Sequence, residues 1–319
     1  MGYEYLACGN VMLDSVRFPG ETTRSQENIG GPSTFAYSGI KLYTDKVMQA
    51  SHVGEDYHTL FDPWMEKNGV EGKGFDVKCD HCNHSWLLFK EDGTYERDPE
   101  QVYFRDDWVQ DFGYMKISPE EIGYWTSREP IKGIYLAKNV DYTFWNKLHE
   151  IQKRDGFKMM WEMESPSSYF KYMDAVMNAT KTANLFSINI QEAQTLFNVT
   201  TDEDVIAALQ KMPFEYTLFR VGERGAYSVT PTECYYLPPA PGPVVDPTGC
   251  GNTSTGSALY AWCEGHDALM TGIMANVGSS MNIRQYGIIP DFSAVRDEAF
   301  ELAKQLYNEY SVKYGVKKD

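Results

Sequence analysis

The chain has 319 residues, of which 42% are hydrophobic and 23% are charged, so it can bury a sizeable core and is not expected to be disordered. Its formal net charge of −16 argues against partners that need a broad basic face, namely nucleic acid and anionic membrane surfaces. A phosphate ligand stays open, because a local nest of backbone N–H groups can hold one.

The sequence shows no recognisable targeting signal, and together with the cysteine usage this predicts a cytoplasmic location. No apolar run approaches the roughly 18–20 residues that span a bilayer. The first residues lack a basic region and predict a strand rather than a signal peptide. The 6 cysteines do not have the density of a disulfide scaffold, and a reducing compartment is therefore expected.

Strand and helix patterns alternate along most of the chain. YEYLACGNVML predicts a strand and PSTFAYSGIKLY a helix. DKVMQASHVG then predicts a second strand, and YHTLFDPWMEKNGV a helix that stops near Asn68 and Gly69. Short apolar runs bounded by polar residues predict buried parallel strands; they are IKGIYLAK, FKMMWEME, TANLFSIN and YTLFRVG. With helical stretches such as 143–154 and 202–211 between them, they favour βαβ units around a parallel sheet.

Two β-prone segments, 14–31 and 76–107, interrupt this alternation. We expect both to contribute strands to one small antiparallel sheet that forms a lid; the alternative is a pair of ordinary long loops. The main α/β domain, which would bind nucleotide and substrate, then comprises residues 1–13, 32–75 and 108–319. The lid aromatic residues would either stack on a base or fill a lid–lid contact; they are Trp86, Phe89, Tyr95 and Tyr103.

A glycine-rich turn enters a helix in VVDPTGCGNTSTGSALYAW, residues 244–262. Such a turn suits an anion, because free N–H groups and the helix dipole both point at it. A proton-accepting side chain often follows the glycines, but here that position holds Asn252, which cannot take a proton near neutral pH. The stretch therefore predicts an anion site whose chemistry is in question.

This stretch resembles the D-x-x-G-x-G-D signature of the ribokinase-like (PfkB) carbohydrate kinase family. IGGPSTFAYSGIKLY, with SHVGEDYHTLFDPWMEKNGV after it, resembles the family's N-terminal glycine pair, helix and V-G-x-D turn. SINIQEAQTLF resembles its N-x-x-E motif, and FRVGERGAYSV resembles its T-x-G-x-x-G loop with Arg220 in place of Thr. The tail ANVGSSMNIRQYGIIP is similar to the last helix of the family, and the order of motifs fits from about residue 3 to about residue 310.

The resemblance implies a doubly wound, mostly parallel sheet flanked by helices, and ATP-dependent phosphoryl transfer to a hydroxyl of a sugar or nucleoside. It also implies ATP and Mg²⁺ as ligands, leaves a monovalent cation open, and suggests a homodimer through the lid. The implied anion hole is Gly249, Cys250 and Gly251, with Asn252 at the position of the base. The implied substrate residues are Asp14, Gly30, Gly31 and Thr34. The implied nucleotide residues are Arg220, Gly222, Gly225, Asn276 and Ser280, while Asn189 and Glu192 would face Mg²⁺-bound phosphates.

Each element also has a purely structural explanation. Gly30 and Gly31 could end a strand, and Asp14 could be a cap or turn residue. Asn189 and Glu192 share one helix face, which could simply be solvated. A dinucleotide enzyme is disfavoured, because CGNVMLD lacks the G-x-G-x-x-G pattern.

Asn252 leaves three accounts open, because a general base typically contributes about 10²–10⁴-fold to rate. The chain could be a slow kinase in which another group accepts the proton, or a sugar- or nucleotide-binding sensor that lost the chemistry. An engineered Asp-to-Asn change is the third account. Natural divergence is favoured, because Cys250 and residues 253–255 also depart from the family pattern.

One segment lies outside the family pattern, Cys79-Asp80-His81-Cys82-Asn83-His84. A C-x-x-C pair with two histidines could be half of a zinc site. No second C-x-x-C pair occurs, and haem attachment would need His at position 83. Polar lid residues are the favoured interpretation.

Overall fold

The computed structural model describes residues 2–91, 93–101 and 117–316, so Tyr103 and the lid residues from 102 to 107 lie outside the described part. The strands in chain order are β1 (Tyr5–Cys8), β2 (Met12–Arg17), β3 (Asn28–Gly30), β4 (Val47–Gly54), β5 (Phe75–Cys79), β6 (Asn83–Phe89), β7 (Tyr95–Arg97), β8 (Gly133–Lys138), β9 (Lys158–Met163), β10 (Leu185–Asn189), β11 (Tyr216–Arg220), β12 (Ala226–Val229) and β13 (Cys234–Leu237).

The helices in chain order are α1 (Pro32–Lys41), α2 (His58–Asn68), α3 (Pro119–Thr126), α4 (Tyr142–Asp155), α5 (Met173–Ala179), α6 (Ile190–Phe197), α7 (Asp202–Leu209), α8 (Cys250–Cys263), α9 (Ala268–Asn282) and α10 (Phe292–Tyr314). Their ends carry ordinary stop and start signals: α4, for example, begins after the capping carboxylate of Asp141 and ends at Gly156 in the left-handed conformation. Within the described ranges, no helix is both long and apolar enough to cross a membrane.

A nine-stranded sheet has the order β13-β12-β11-β10-β9-β8-β1-β4-β5. The seven strands from β11 to β5 in this order run parallel, and β12 and β13 add antiparallel partners at one edge. The central strands are buried throughout, as expected when helices cover both faces. One core cluster lies under α1, α8, α9 and α10, and another under α3 to α7. The predicted doubly wound α/β fold is confirmed.

The small sheet has the order β3-β2-β6-β7 and is mixed, whereas the sequence predicted an antiparallel one. β2 pairs antiparallel with β3, and β7 pairs antiparallel with β6, but β2 and β6 run parallel. The reason is topological. β2 follows β1 and β6 follows β5 after three-residue connections, and the two parent strands point the same way in the main sheet.

Candidate active site

The predicted anion turn forms the start of α8, and its glycines are sterically required. Gly249 has φ 75°, and a Cβ on it would lie 2.2 Å from the ring of Phe35. A Cβ on Gly251 would lie 1.9 Å from Nη1 of Arg220, so the guanidinium rests directly on this glycine. The first-turn N–H groups of a helix have no intrahelical acceptor. The N–H of the predicted anion-hole residue Cys250, however, donates to the carbonyl oxygen of Pro247 at 3.2 Å. The turn therefore combines its remaining N–H groups with a cation.

Asn252 belongs to a chain of polar groups whose middle members, Tyr135 and Glu162, are buried. Its Nδ2 donates to the hydroxyl oxygen of Tyr135 at 3.2 Å, and that hydroxyl donates to Oε2 of Glu162 at 2.8 Å. The other carboxylate oxygen of Glu162 pairs with Nη2 of Arg220 at 2.7 Å. Burial and the neighbouring charge of Glu162 raise the pKa of Tyr135 well above its ordinary value, so its hydroxyl stays protonated. The amide of Asn252 is therefore oriented with its nitrogen toward Tyr135.

Tyr135 and Glu162 were not predicted as site residues. The available signal was a carboxylate among apolar residues in MMWEM, residues 159–163, where a buried charge requires a partner. Arg220 is that partner, and its Nε is buried without a hydrogen-bond partner among the described residues. The Oγ1 atom of Thr248, in the turn itself, is also buried without a hydrogen-bond partner among the described residues.

Asp14, Gly30 and Gly31 lie close together at the start of the small sheet. A Cβ on Gly30 would lie 1.8 Å from Oδ2 of Asp14, and Gly31 adopts φ 91°. Burial raises the pKa of Asp14 to about 7. The hydrogen bond from the Gly31 N–H opposes this rise, and the negative charge of Asp246 adds a smaller contribution to it. Asn10, which was not predicted, is buried nearby: its carbonyl oxygen would lie 2.6 Å from a Cβ on Gly31. Both of its amide atoms lack partners within the described part of the chain.

Thr34 does not share that environment. Its side chain is fully buried in α1, and its hydroxyl accepts a hydrogen bond from Nε2 of Gln49 at 2.9 Å. It supports the helix that follows the glycine pair.

Asn189 and Glu192 form a reciprocal cap at the start of α6. Oδ1 of Asn189 accepts from the Glu192 N–H at 2.9 Å, and Oε2 of Glu192 accepts from the Asn189 N–H at 3.1 Å. The second oxygen of Glu192 accepts from the hydroxyl of Ser165 at 2.8 Å. Burial raises the pKa of Glu192, while the positive charge of Arg220 opposes that rise. Glu192 is thus buried near Arg220 and Asn189 is half-buried, whereas the alternative explanation placed both on a solvated face.

Three of the predicted nucleotide residues, Gly225, Asn276 and Ser280, contact the end of β13 or the loop that leads from it to α8. Gly225 has φ 105°, and a Cβ on it would lie 2.1 Å from the carbonyl oxygen of Leu237. Asn276 donates to the carbonyl oxygens of Leu237 and Pro238 at 3.1 and 2.9 Å, and Ser280 donates to that of Pro241 at 2.8 Å. Both side chains therefore hydrogen-bond to the loop and do not face an open surface.

Beside this loop lies an open groove of about 510 Å³, bounded by Pro241, Arg284 and Gln305. The Nε atom of Arg284 is buried and has no hydrogen-bond partner among the described residues. Gly222, with φ 64°, opens the turn after β11 on which Arg224 pairs with Asp202 at 2.6 Å at the surface. Arg224 therefore lies in a turn at the surface, with its side chain half exposed.

Comparison with known proteins identifies the family and the fold. The family model described as "pfkB family carbohydrate kinase" matches residues 120–294, which is more than half of the chain. An uncharacterized protein from Schizosaccharomyces pombe is 23% identical over 335 aligned positions, covering 89% of this chain and 85% of that protein.

Two solved structures share the fold. Arabidopsis thaliana ribokinase complexed with ribose and ATP has a TM-score of 0.68 and 18% identity, covering 95% of this chain and 99% of that one. Adenosine kinase from Sinorhizobium meliloti has a TM-score of 0.72 and 16% identity, covering 93% of this chain and 100% of that one.

Proposed function

The chain belongs to the pfkB family of carbohydrate kinases, and we propose that it transfers the γ-phosphoryl group of ATP to a hydroxyl of a sugar or nucleoside. The substrate class follows that of similar structures, a ribokinase with ribose and an adenosine kinase. Catalysis of this reaction depends mainly on positioning and on stabilisation of the transferring charge.

One observation carries the proposal: the guanidinium of Arg220 rests on Gly251 at the N-terminal turn of α8. Backbone donors, the positive end of a helix and a guanidinium then converge where a phosphoryl group would sit. Buried polar atoms without partners, Nε of Arg220 and Oγ1 of Thr248, support a polar ligand at this place.

The substrate would lie on the other side of that turn. In the proposal, the buried carboxylate of Asp14 accepts hydrogen bonds from substrate hydroxyls. The unpartnered amide of Asn10 supplies a donor and an acceptor beside it. Gly30 and Gly31 let the backbone approach the ligand, and Thr34 supports the helix behind them.

The nucleotide would extend from the anion turn along the loop held by Asn276 and Ser280, between the Gly222–Gly225 turn and the groove beside Arg284. Asn189 and Glu192 use their side-chain oxygens for capping and for Ser165, so they fit an indirect role through water on metal-bound phosphates. Mg²⁺, when bound with ATP, would neutralise part of the phosphate charge.

A second candidate is a sugar- or nucleotide-binding protein without turnover. The observation that favours it is the full engagement of position 252: Asn252 donates to Tyr135, which donates to Glu162, which pairs with Arg220. An aspartate cannot make the first of these bonds as a donor. The network around Asn252 is thus built for an amide.

The two candidates separate in one experiment. Purified protein is incubated with Mg²⁺–ATP and each of ribose, adenosine and inosine, and phosphorylated product is measured by ³¹P NMR alongside binding by calorimetry. Product that disappears in Asp14→Ala supports the kinase. Saturable binding of a sugar, a nucleoside or ATP without product supports the binding protein, and no binding of any of these ligands contradicts both candidates.

A further inference from the structure

A cluster of two imidazoles and one carboxylate lies where the main domain meets the small sheet. Asp56 follows β4, while His81 precedes β6 and His84 lies within it. Oδ2 of Asp56 is 3.2 Å from Nδ1 of His81 and 2.9 Å from Nε2 of His84. All three atoms lie within 4.8 Å of one another.

These atoms are the donors that zinc prefers, imidazole nitrogen and carboxylate oxygen at about 2.0–2.2 Å from the metal. In a tetrahedral site with such bonds, neighbouring ligand atoms are about 3.3 Å apart. The two distances from Asp56 need to widen by only a few tenths of an ångström. The His-x-x-His spacing supplies both nitrogens from one short segment.

The ligand atoms are oriented before any metal arrives. Nδ1 of His84 hydrogen-bonds to Oε1 of Glu27 at 2.5 Å, and the same oxygen accepts from Nε1 of Trp86 at 3.1 Å. A carboxylate on the far nitrogen of a histidine is the usual outer partner of a metal-binding imidazole. The other oxygen of Asp56 accepts from the backbone N–H of Cys82 at 2.7 Å, which turns Oδ2 toward the histidines.

The cysteines of the same segment are engaged elsewhere. Sγ of Cys82 is buried and accepts from the N–H of Gly54 at 3.2 Å, and Sγ of Cys79 lies 3.2 Å from the carbonyl oxygen of His81. Neither sulfur belongs to the three-atom cluster. A zinc site here would therefore use the histidines and Asp56, not the C-x-x-C pair.

We propose that Asp56, His81 and His84 bind one zinc ion, with Glu27 orienting His84, and that the ion fastens β6 of the small sheet to the end of β4. His84 is largely buried whereas His81 is about half exposed, so one side of the site is open for entry of the metal and for a water ligand. This site is separate from the anion turn and does not depend on kinase activity.

Zinc chloride is titrated into the metal-free full chain in competition with a chromogenic chelator, and thermal unfolding is recorded with and without zinc. We expect one zinc per chain and a higher Tm with metal, because a ligand selective for the folded state stabilises it. His81→Ala should weaken zinc binding at least tenfold, and Glu27→Gln should weaken it about 10–100-fold. His81 is exposed enough that its removal should leave the fold intact.

His58→Ala is the matched control, because His58 is also exposed and also pairs with a carboxylate, Asp62, while neither residue belongs to the three-atom cluster. It should bind zinc like the parent protein, and so should Cys79→Ser. The proposal is overturned if the parent protein holds no zinc against the chelator or if His81→Ala binds as tightly as the parent. It is also overturned if Cys79→Ser loses the metal while His81→Ala keeps it.

Discussion

Asn252 donates a hydrogen bond to the hydroxyl of Tyr135, and that hydroxyl donates its single proton to the buried carboxylate of Glu162. The amide of Asn252 is thus matched to its neighbours. An aspartate placed there alone would compete with Glu162 for the proton of Tyr135, and two carboxylates would share one donor. This raises the pKa of the new carboxylate.

Moving the charge rather than adding it should recover the proton transfer. In Asn252→Asp combined with Glu162→Gln, the net charge is unchanged, and both substitutions are nearly isosteric. We expect turnover on the true substrate to rise about 10²-fold or more, the usual contribution of a general base. Initial rates with Mg²⁺–ATP and the ribose and nucleoside panel measure this.

Asn252→Asp alone should gain less turnover than the double variant, and its Tm should be lower than that of the parent protein. Glu162→Gln alone is the control, since it weakens the pair with Arg220 without supplying a base. If the parent protein already turns over as fast as the double variant, another group accepts the proton. If all variants bind ATP and sugar yet make no product, the binding-protein candidate gains.

Much of this architecture could be predicted from the sequence. The buried parallel strands are short apolar runs between turn signals, and Gly249 and Gly251 before a helix indicate the predicted anion turn. These features are local, and local patterns determine them. The cap of Asn189 and Glu192 is likewise visible as a spacing of three.

What escaped prediction depends on contacts between distant segments. Glu162, Tyr135 and Asn252 are brought together by adjacent parallel strands and the helix above them, and nothing in their individual segments pairs them. The parallel pairing of β2 with β6 follows from the directions of β1 and β5 in the main sheet. Asp56 and His84 are 28 positions apart and meet only because that sheet forms.

Arg220 is predicted to carry a large share of local stability. Replacing it with Thr, the usual family residue, would leave Glu162 buried without its cation. Loss of one partner of a buried ion pair typically costs about 3–5 kcal/mol in the free energy of unfolding. Urea unfolding of Arg220→Thr measures the loss, and addition of Glu162→Gln should return most of it.

Arg224 offers a matched control, since it also bonds a carboxylate, Asp202, but its side chain is half exposed. Arg224→Ala should cost only about 0–1 kcal/mol, as surface pairs do. Equal losses for Arg220→Thr and Arg224→Ala would mean that Arg220 is not paired in a buried site.

Glu192 is predicted to combine capping with an indirect role on magnesium. Glutamine can replace glutamate in a capping box, so Glu192→Gln should keep the start of α6 and change Tm little. The loss of negative charge should instead raise the Mg²⁺ concentration needed for half-maximal ATP binding. Calorimetric ATP titrations at several Mg²⁺ concentrations test this, and an unchanged requirement would leave Glu192 with the cap alone.

Asp14 should make both stability and substrate binding depend on pH. Its pKa is about 7 in the folded chain, against about 4 for an unfolded aspartate. The folded state therefore binds the proton more tightly than the unfolded state does. The free energy of unfolding should fall by up to about 1.4 kcal/mol per pH unit as pH rises from about 4 to about 7. Above about pH 7, Asp14 should make no further change to it. Asp14→Asn should remove that part of the slope, whereas Asp297→Asn, at an exposed position, should not.

Because the ionised carboxylate is the stronger acceptor for hydroxyls, ribose or adenosine should bind more tightly as pH rises through about 7. In Asp14→Asn this dependence should vanish while ATP affinity stays nearly constant. Urea unfolding and calorimetry across pH 5 to 8.5 separate the two effects. An unchanged stability slope in Asp14→Asn would mean that the carboxylate is not buried, and a parallel loss of ATP binding would mean that Asp14 does not act on the substrate alone.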